Sequence, residues 1–196
     1  MAKKQKQLKQ MKHKVKSKKV VKKLFYDVSA PITSTKIQLY ASSPESLQGK
    51  TIKLDLTKSL RGKSLELTLR INLEKDKLIA LPESAELENT YIRRVMRKGV
   101  DYVEDSFQVE CRDSHARIKP FLITRRRVSR PILKALREAT KKYLESYTKT
   151  RSSKELFEEI ISNKLQKQLS LKLKKIYPLA LCEIRSFKIE KTPLKK

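Results

Sequence analysis

Residues 118–147 read IKPFLITRRRVSRPILKALREATKKYLESY, and within this stretch the apolar pattern changes from strand-like to helical. Phe121-Leu122-Ile123 predicts a buried strand. Ser129, with Pro131 in the first turn behind it, opens a helix. Between the two stand Arg125, Arg126 and Arg127, with Arg130 just beyond. A guanidinium is planar and permanently charged, and its fork of donors matches a phosphate in bidentate fashion. A strand-to-helix corner carrying three of them suits a polyanion. A solvated charge run would read the same way, so the rest of the chain has to decide.

Composition favours the polyanion. The 196 residues hold 48 Lys and Arg against 21 Asp and Glu, a formal net charge of +27. Eleven of the lysines precede Leu24, where there is no acid, so +16 remains on residues 24–196. A body this basic repels itself until something neutralises it, and nucleic acid or an anionic membrane would do so. No apolar run approaches the ~18 residues of a spanning helix, and the lysine-rich start lacks the apolar stretch of a signal peptide. The expectation is a cytoplasmic or nuclear protein with no membrane partner. Cys111 and Cys182 stand far apart in strand-like runs, which favours buried free thiols over a disulfide.

Met1 to Lys23 has few apolar residues and no acid, and the expectation is a disordered arm. Its lysines, Lys3, Lys4, Lys6, Lys18, Lys19, Lys22 and Lys23 among them, suit an arm that folds into RNA, although a solubility or targeting tail has the same composition. Leu24–Val28 and Thr35–Tyr40 predict strands, and Ser42-Ser43-Pro44-Glu45 starts a helical turn that ends at Gly49. Thr51–Leu56 alternates again. Ser64–Leu73 sets Leu65, Leu67, Leu69, Ile71 and Leu73 on one face in strict period two, the strongest strand signal in the chain, and Lys77–Leu81 pairs back onto it.

NTYIRRVMRKG predicts a helix capped at Asn89 or Thr90 and ended by Gly99. Its outer face is Arg93, Arg94, Arg97 and Lys98. The last two fall in the final turn of that helix, where the dipole also welcomes cations. Tyr102–Arg112 reads as one strand, with a hairpin turn at Asp113-Ser114-His115-Ala116. Beyond the arginine corner, Ile132, Leu136, Ala139, Tyr143 and Tyr147 form a helical stripe. Ser152 and Glu155 have capping-box spacing for a second helix, with Leu156, Phe157, Ile160 and Ile161. A third carries Leu165, Leu169 and Ile176 before Pro178, and Leu181–Ile189 closes as a strand whose alternation shifts near Arg185-Ser186, as a bulge would make it. The economical division is an arm over 1–23, one mixed domain over 24–190, strand-rich first and helical later, and a short basic tail over 191–196.

Catalytic patterns are missing. His13 lies in the arm and His115 in a predicted turn, neither beside a nucleophile and an orienting acid. Three glycines allow no phosphate loop, and no Cys/His spacing suits a metal, so no enzyme activity, cofactor or metal is expected. Tyr26, Tyr40, Tyr91 and Tyr102 suit either base stacking or the core.

FYDVSAP (25–31), QGKTIKLDLTKSL (48–60), YIRRVMRKG (91–99), IYPL (176–179) and EIRSFKI (183–189) follow one another in the order and spacing of a known family. Over about Leu24 to Ile189 the chain resembles the S-one-e, or S-three-A-e, family of small-subunit ribosomal proteins of archaea and eukaryotes. It departs where members commonly carry Trp-Tyr and this chain has Phe25-Tyr26. Its ending at Lys196 looks like the archaeal or a reduced eukaryotic form. The resemblance implies an α+β protein with a β-barrel-like core of about seven strands and three to four flanking helices. It also implies a seat on small-subunit rRNA at the platform near the mRNA exit, with platform proteins and mRNA as neighbours. The expected function is therefore structural. The tail lysines and the clusters Arg93, Arg94, Arg97, Lys98 and Arg125, Arg126, Arg127, Arg130 would bridge rRNA phosphates. A free RNA-binding translation or assembly factor, a DNA-compacting protein and a small RNA-processing enzyme are the alternatives.

Overall fold

The strict alternation over 64–73 becomes the spine of the sheet. In the computed structural model, which describes residues 22–74 and 77–190, Leu65, Leu67, Leu69 and Ile71 are fully buried along β4 (Leu65–Glu74). A pleated strand sends alternate side chains to opposite faces, so the period-two apolar residues share one face, buried from Leu65 to Ile71 and half-buried at Leu73. β1 (Leu24–Ala30) and β2 (Thr35–Ala41) form a hairpin, Glu45–Leu47 is a single 3-10 turn, and β3 (Thr51–Asp55) pairs antiparallel with β4.

β5 (Lys77–Leu87) runs well beyond Leu81, where the sequence pattern stops. Pro82 cannot donate to a ladder, but on one edge it falls between the β1 pairings at Leu78 and Ile79 and those of the last strand at Ser84 to Glu86. On the other edge the register with β4 shifts between Thr68 and Leu69, leaving Glu83 as the extra residue of a bulge. The strand accommodates its proline by interrupting pairing around it.

α1 (Asn89–Val95) is shorter than the sequence predicts. Glu88 is the N-cap residue rather than Asn89 or Thr90, and Met96 turns extended at ψ 117°, so Arg97 and Lys98 lie beyond the helix in a turn that Gly99 completes at φ +83°. Their charge is therefore not explained by the helix dipole. The expected strand over 102–112 divides into β6 (Tyr102–Glu104) and β7 (Phe107–Glu110), because the Asp105 carboxylate accepts the Ser106 N–H and ends the first run. β8 (His115–Thr124) already contains His115 and Ala116; the hairpin turn spans Cys111–Ser114 instead.

α2 (Arg130–Thr148), α3 (Ser153–Ile161) and α4 (Lys164–Leu173) follow, and β9 (Leu179–Glu190) returns to the sheet. The buried line of α2 is Leu136, Thr140, Leu144 and Thr148, with the expected Ile132, Ala139, Tyr143 and Tyr147 half-buried beside it. Ser152 and Glu155 make the predicted capping box. α4 buries Leu165, Gln166, Leu169 and Leu173, while Ile176 lies past its end and is exposed. Phe157 of α3 meets Phe187 of β9 edge-on at 4.9 Å, tying helices to sheet.

The last strand becomes central. β9 pairs antiparallel with β8 along most of its length and with the end of β5, so the order is β3-β4-β5-β9-β8. β1-β2 joins the start of β5 in parallel, and β6 and β7 share the far edge of β8. Ala180 and Arg185 are extra residues opposite Ile123/Thr124 and Lys119/Pro120, the second being the shift legible near Arg185-Ser186. The α+β class holds, with four α-helices among the described residues. Among the described residues the sheet has nine strands rather than about seven, and it stays open, with β2, β3, β6 and β7 each paired on one side only.

Candidate nucleic-acid interface

The arginine corner is pinned from beneath. Thr124, the last residue of β8, is fully buried, and its hydroxyl lies 2.8 Å from the Asp101 carbonyl and 2.7 Å from the Arg126 carbonyl, with one hydrogen to share between them. The Thr124 N–H donates to the Asp101 carbonyl at 2.9 Å, and the Asp101 N–H donates to the Thr124 hydroxyl at 3.1 Å. Farther on, the Asp101 carboxylate accepts the Val128 N–H at 2.7 Å. Asp101 thus holds both ends of the corner, Thr124 through its backbone and Val128 through its carboxylate, leaving Arg125, Arg126 and Arg127 exposed on a fixed loop. Ordered donors lose less entropy when they bind than mobile ones. Arg130, the first residue of α2, is exposed as well.

The structure brings the second cluster to this corner. Arg94, Val95, Arg97, Val100, Ile123, Arg125, Ala180 and Leu181 line a cleft of about 600 Å³ where the end of α1 meets the end of β8 and the start of β9. Its rim holds arginines from both clusters, its floor is apolar, and no acid lines it. Among the described residues eight ion pairs form, taking up Arg117, Arg151, Arg185 and Lys63 among others, and none involves Arg93, Arg94, Arg97, Lys98, Arg125, Arg126, Arg127 or Arg130. Glu104, a conceivable internal partner for the corner, is engaged by Arg185 instead.

Not every predicted cation has the same freedom. Arg94 donates to the Gly62 carbonyl at 2.6 Å and lies 5.3 Å from the Tyr91 ring centroid, so its guanidinium fastens α1 to the loop before β4. Burial, with Glu183 nearby, raises the Tyr91 pKa, and the Arg94 charge opposes that shift. Arg93 and Lys98 are exposed but do not line the cleft, as is true of Arg126, Arg127 and Arg130. Lys22 and Lys23 precede β1, with Lys23 Nζ 5.6 Å from the Tyr40 ring, and also lie outside it. Lys3, Lys4, Lys6, Lys18 and Lys19, with the rest of the predicted arm up to residue 21 and the whole predicted tail over 191–196, fall outside the described residues. Tyr40 and Tyr102 are exposed, Tyr26 and Tyr91 partly buried.

Asp101 and Thr124 have no sequence signal as site residues, because their bonds run between backbone and side chain across 23 positions. Cys111 and Cys182 are free thiols, Cys182 buried as expected and Cys111 only half-buried. No helix among the described residues is long and apolar enough to cross a membrane.

The family model described as the Ribosomal S3Ae family matches residues 10–193. The small ribosomal subunit protein eS1 of Nanoarchaeum equitans is 27% identical over 177 residues, covering 86% of this chain and 89% of that protein. The protein of the same name from Haloquadratum walsbyi is 23% identical over 177 residues, covering 86% and 84%. That from Desulfurococcus amylolyticus is 27% identical over 175 residues, covering 85% and 82%.

Proposed function

The chain belongs to the Ribosomal S3Ae family, and on that footing we propose that it is a structural constituent of the small ribosomal subunit that binds rRNA by neutralising phosphates. The observation that carries this reading is the cleft at which Arg94 and Arg97 meet Arg125, with no acid in its lining. In a chain of net charge +27, cations near an acid form ion pairs, and the clusters at the cleft have no such partner among the described residues. Phosphate contacts of this kind fix register and orientation without reading sequence. In this reading the folded body over 24–190 supplies the ordered contacts, while the arm over 1–23, with Lys3, Lys4, Lys6, Lys18, Lys19, Lys22 and Lys23, adds charge along the RNA. A position at the platform near the mRNA exit, among neighbouring platform proteins and in reach of mRNA, follows from what the resemblance implies. The cytoplasm is then its compartment, and its work is positional rather than catalytic.

Cosedimentation tests the assignment. A subunit constituent stays in salt-washed small subunits at about one copy per particle. A substoichiometric level that falls with each wash would assign it to the free translation or assembly factors instead. A density map of the assembled subunit tests the platform position.

A further inference from the structure

The floor of the cleft does not serve phosphates. Val95, Val100, Ile123, Ala180 and Leu181 offer nothing to a hydrated anion, yet they are ringed by Arg94, Arg97 and Arg125. A ligand that satisfies both surfaces has a flat, weakly polar body and negative charge at its ends. An unpaired nucleotide within an RNA strand has that form, since its base can leave the stack while its two phosphates remain on the backbone. The volume, about 600 Å³, falls within the range of sites that enclose a small ligand.

The walls are also held in place. Arg94 is fixed by the Gly62 carbonyl, the strand end below Arg125 by Thr124 and Asp101, and β9 bulges at Ala180 where it borders the cleft. Arg97 and Arg125 are exposed. Guanidinium planes stack on bases as well as pairing with phosphates. Arg93 and Lys98 on one chain segment, and Arg126 and Arg127 on the other, carry the positive surface away from the cleft, which suits a continuous polyanion better than a short acidic peptide.

We infer that this cleft receives a single unpaired nucleotide of RNA, with the base on the apolar floor and the flanking phosphates on Arg97 and Arg125. The inference rests on the reading of the chain as an RNA-binding ribosomal protein and specifies what one part of that surface takes.

The test uses the full chain and two RNA hairpins with the same stem, one fully paired and one with a single-nucleotide bulge carrying 2-aminopurine. The bulged hairpin binds about tenfold more tightly, roughly 1.4 kcal/mol, and its 2-aminopurine emission changes on binding. Ala180→Phe, at the exposed residue of the apolar floor, brings the ratio of the two affinities close to one. Val100→Gln, which makes the floor polar without adding much bulk, lowers the ratio as well and serves if Ala180→Phe does not fold. Equal affinity of the unsubstituted chain for both hairpins overturns the inference, as does a preference that survives both substitutions. So does an acidic peptide that displaces the bulged hairpin and loses its own binding in Ala180→Phe. Failure to bind either hairpin overturns the RNA reading itself.

Discussion

Thr124 and Asp101, 23 residues apart, exchange backbone and side-chain hydrogen bonds at 2.8, 2.9 and 3.1 Å directly beneath the three exposed arginines. The pair converts a charge run, which would otherwise sample many conformations, into a loop of fixed backbone. Thr124→Val keeps the shape and removes the hydroxyl from a site without solvent, leaving the Asp101 N–H and the Arg126 carbonyl without that partner. The expected loss is about 1–3 kcal/mol in denaturant unfolding, with Thr124→Ser losing clearly less. Equal stability of Thr124→Val and the unsubstituted chain would contradict the pinned corner.

Replacing Arg125, Arg126 and Arg127 together by glutamine leaves the fold intact, since all three side chains are exposed and none is in an ion pair among the described residues. The slope of log affinity against log salt should flatten by about two to three units, at roughly 0.7 to 0.9 per phosphate contact. Binding across a salt series, with circular dichroism on the same variant, measures both. An unaltered slope in a folded variant reduces the corner to a solvated charge run.

Lys63 and Glu183 form a buried ion pair at 2.6 Å, and Lys63 also reaches the Asn163 side chain at 2.6 Å. Three distant segments meet there: the loop before β4, the α3–α4 junction and β9. Lys63→Met alone strands a carboxylate and costs about 3–5 kcal/mol, whereas Lys63→Met with Glu183→Leu recovers most of that loss. Thermal melts of the single and double variants separate the two cases, and additive losses would refute the pairing.

Leu67 and Leu69 are fully buried on the same face of β4. Truncation of either to alanine should cost about 2–5 kcal/mol by denaturant unfolding. A wild-type midpoint for both would be incompatible with their place in the core.

Burial pushes the Cys182 thiol up to about 12 and, with Asp113 adding to the effect, Cys111 up to about 11, from an ordinary value near 9. The folded protein holds these protons more tightly than the unfolded chain, so their contribution is fully present below pH 9. It is lost as pH rises from 9 through 11–12. A thiol-specific chromogenic reagent at pH 8 should react slowly with the native protein and rapidly in denaturant; fast native reaction of Cys182 would argue against its burial.

Local pattern made much of the fold legible and little of the site's assembly. The apolar face of β4, the Ser152/Glu155 capping box and the irregularity near Arg185 are all encoded within a few residues, and sequence spacing reveals them. The expected strand at Lys77–Leu81 stops short of the real one, which runs through Pro82 to Leu87 because the pairing of β5 is interrupted around that proline. Gly99 misled about α1 because its positive φ completes the turn after the helix rather than the helix itself. Both arginine clusters were visible as letters. Their meeting in one cleft rests on the Asp101–Thr124 hydrogen bonds and the β6–β8 pairing, which tie the segment after α1 to the end of β8 across more than 20 positions and leave no periodic trace.

The open sheet has a consequence for the protein before it meets RNA. Among the described residues β2 and β3 each present an unpaired backbone edge, a template on which a second copy could add a strand. Lys36 on β2 and Lys53 on β3 are exposed there, and the net charge of +27 makes copies repel one another over a Debye length of about 10 Å at 0.1 M salt. This charge therefore also acts as a colloidal guard for these edges. Excess free protein should stay dispersed in dilute buffer and clump as polyanion is titrated only part-way to neutrality, so supply in step with rRNA protects the protein from its own edges.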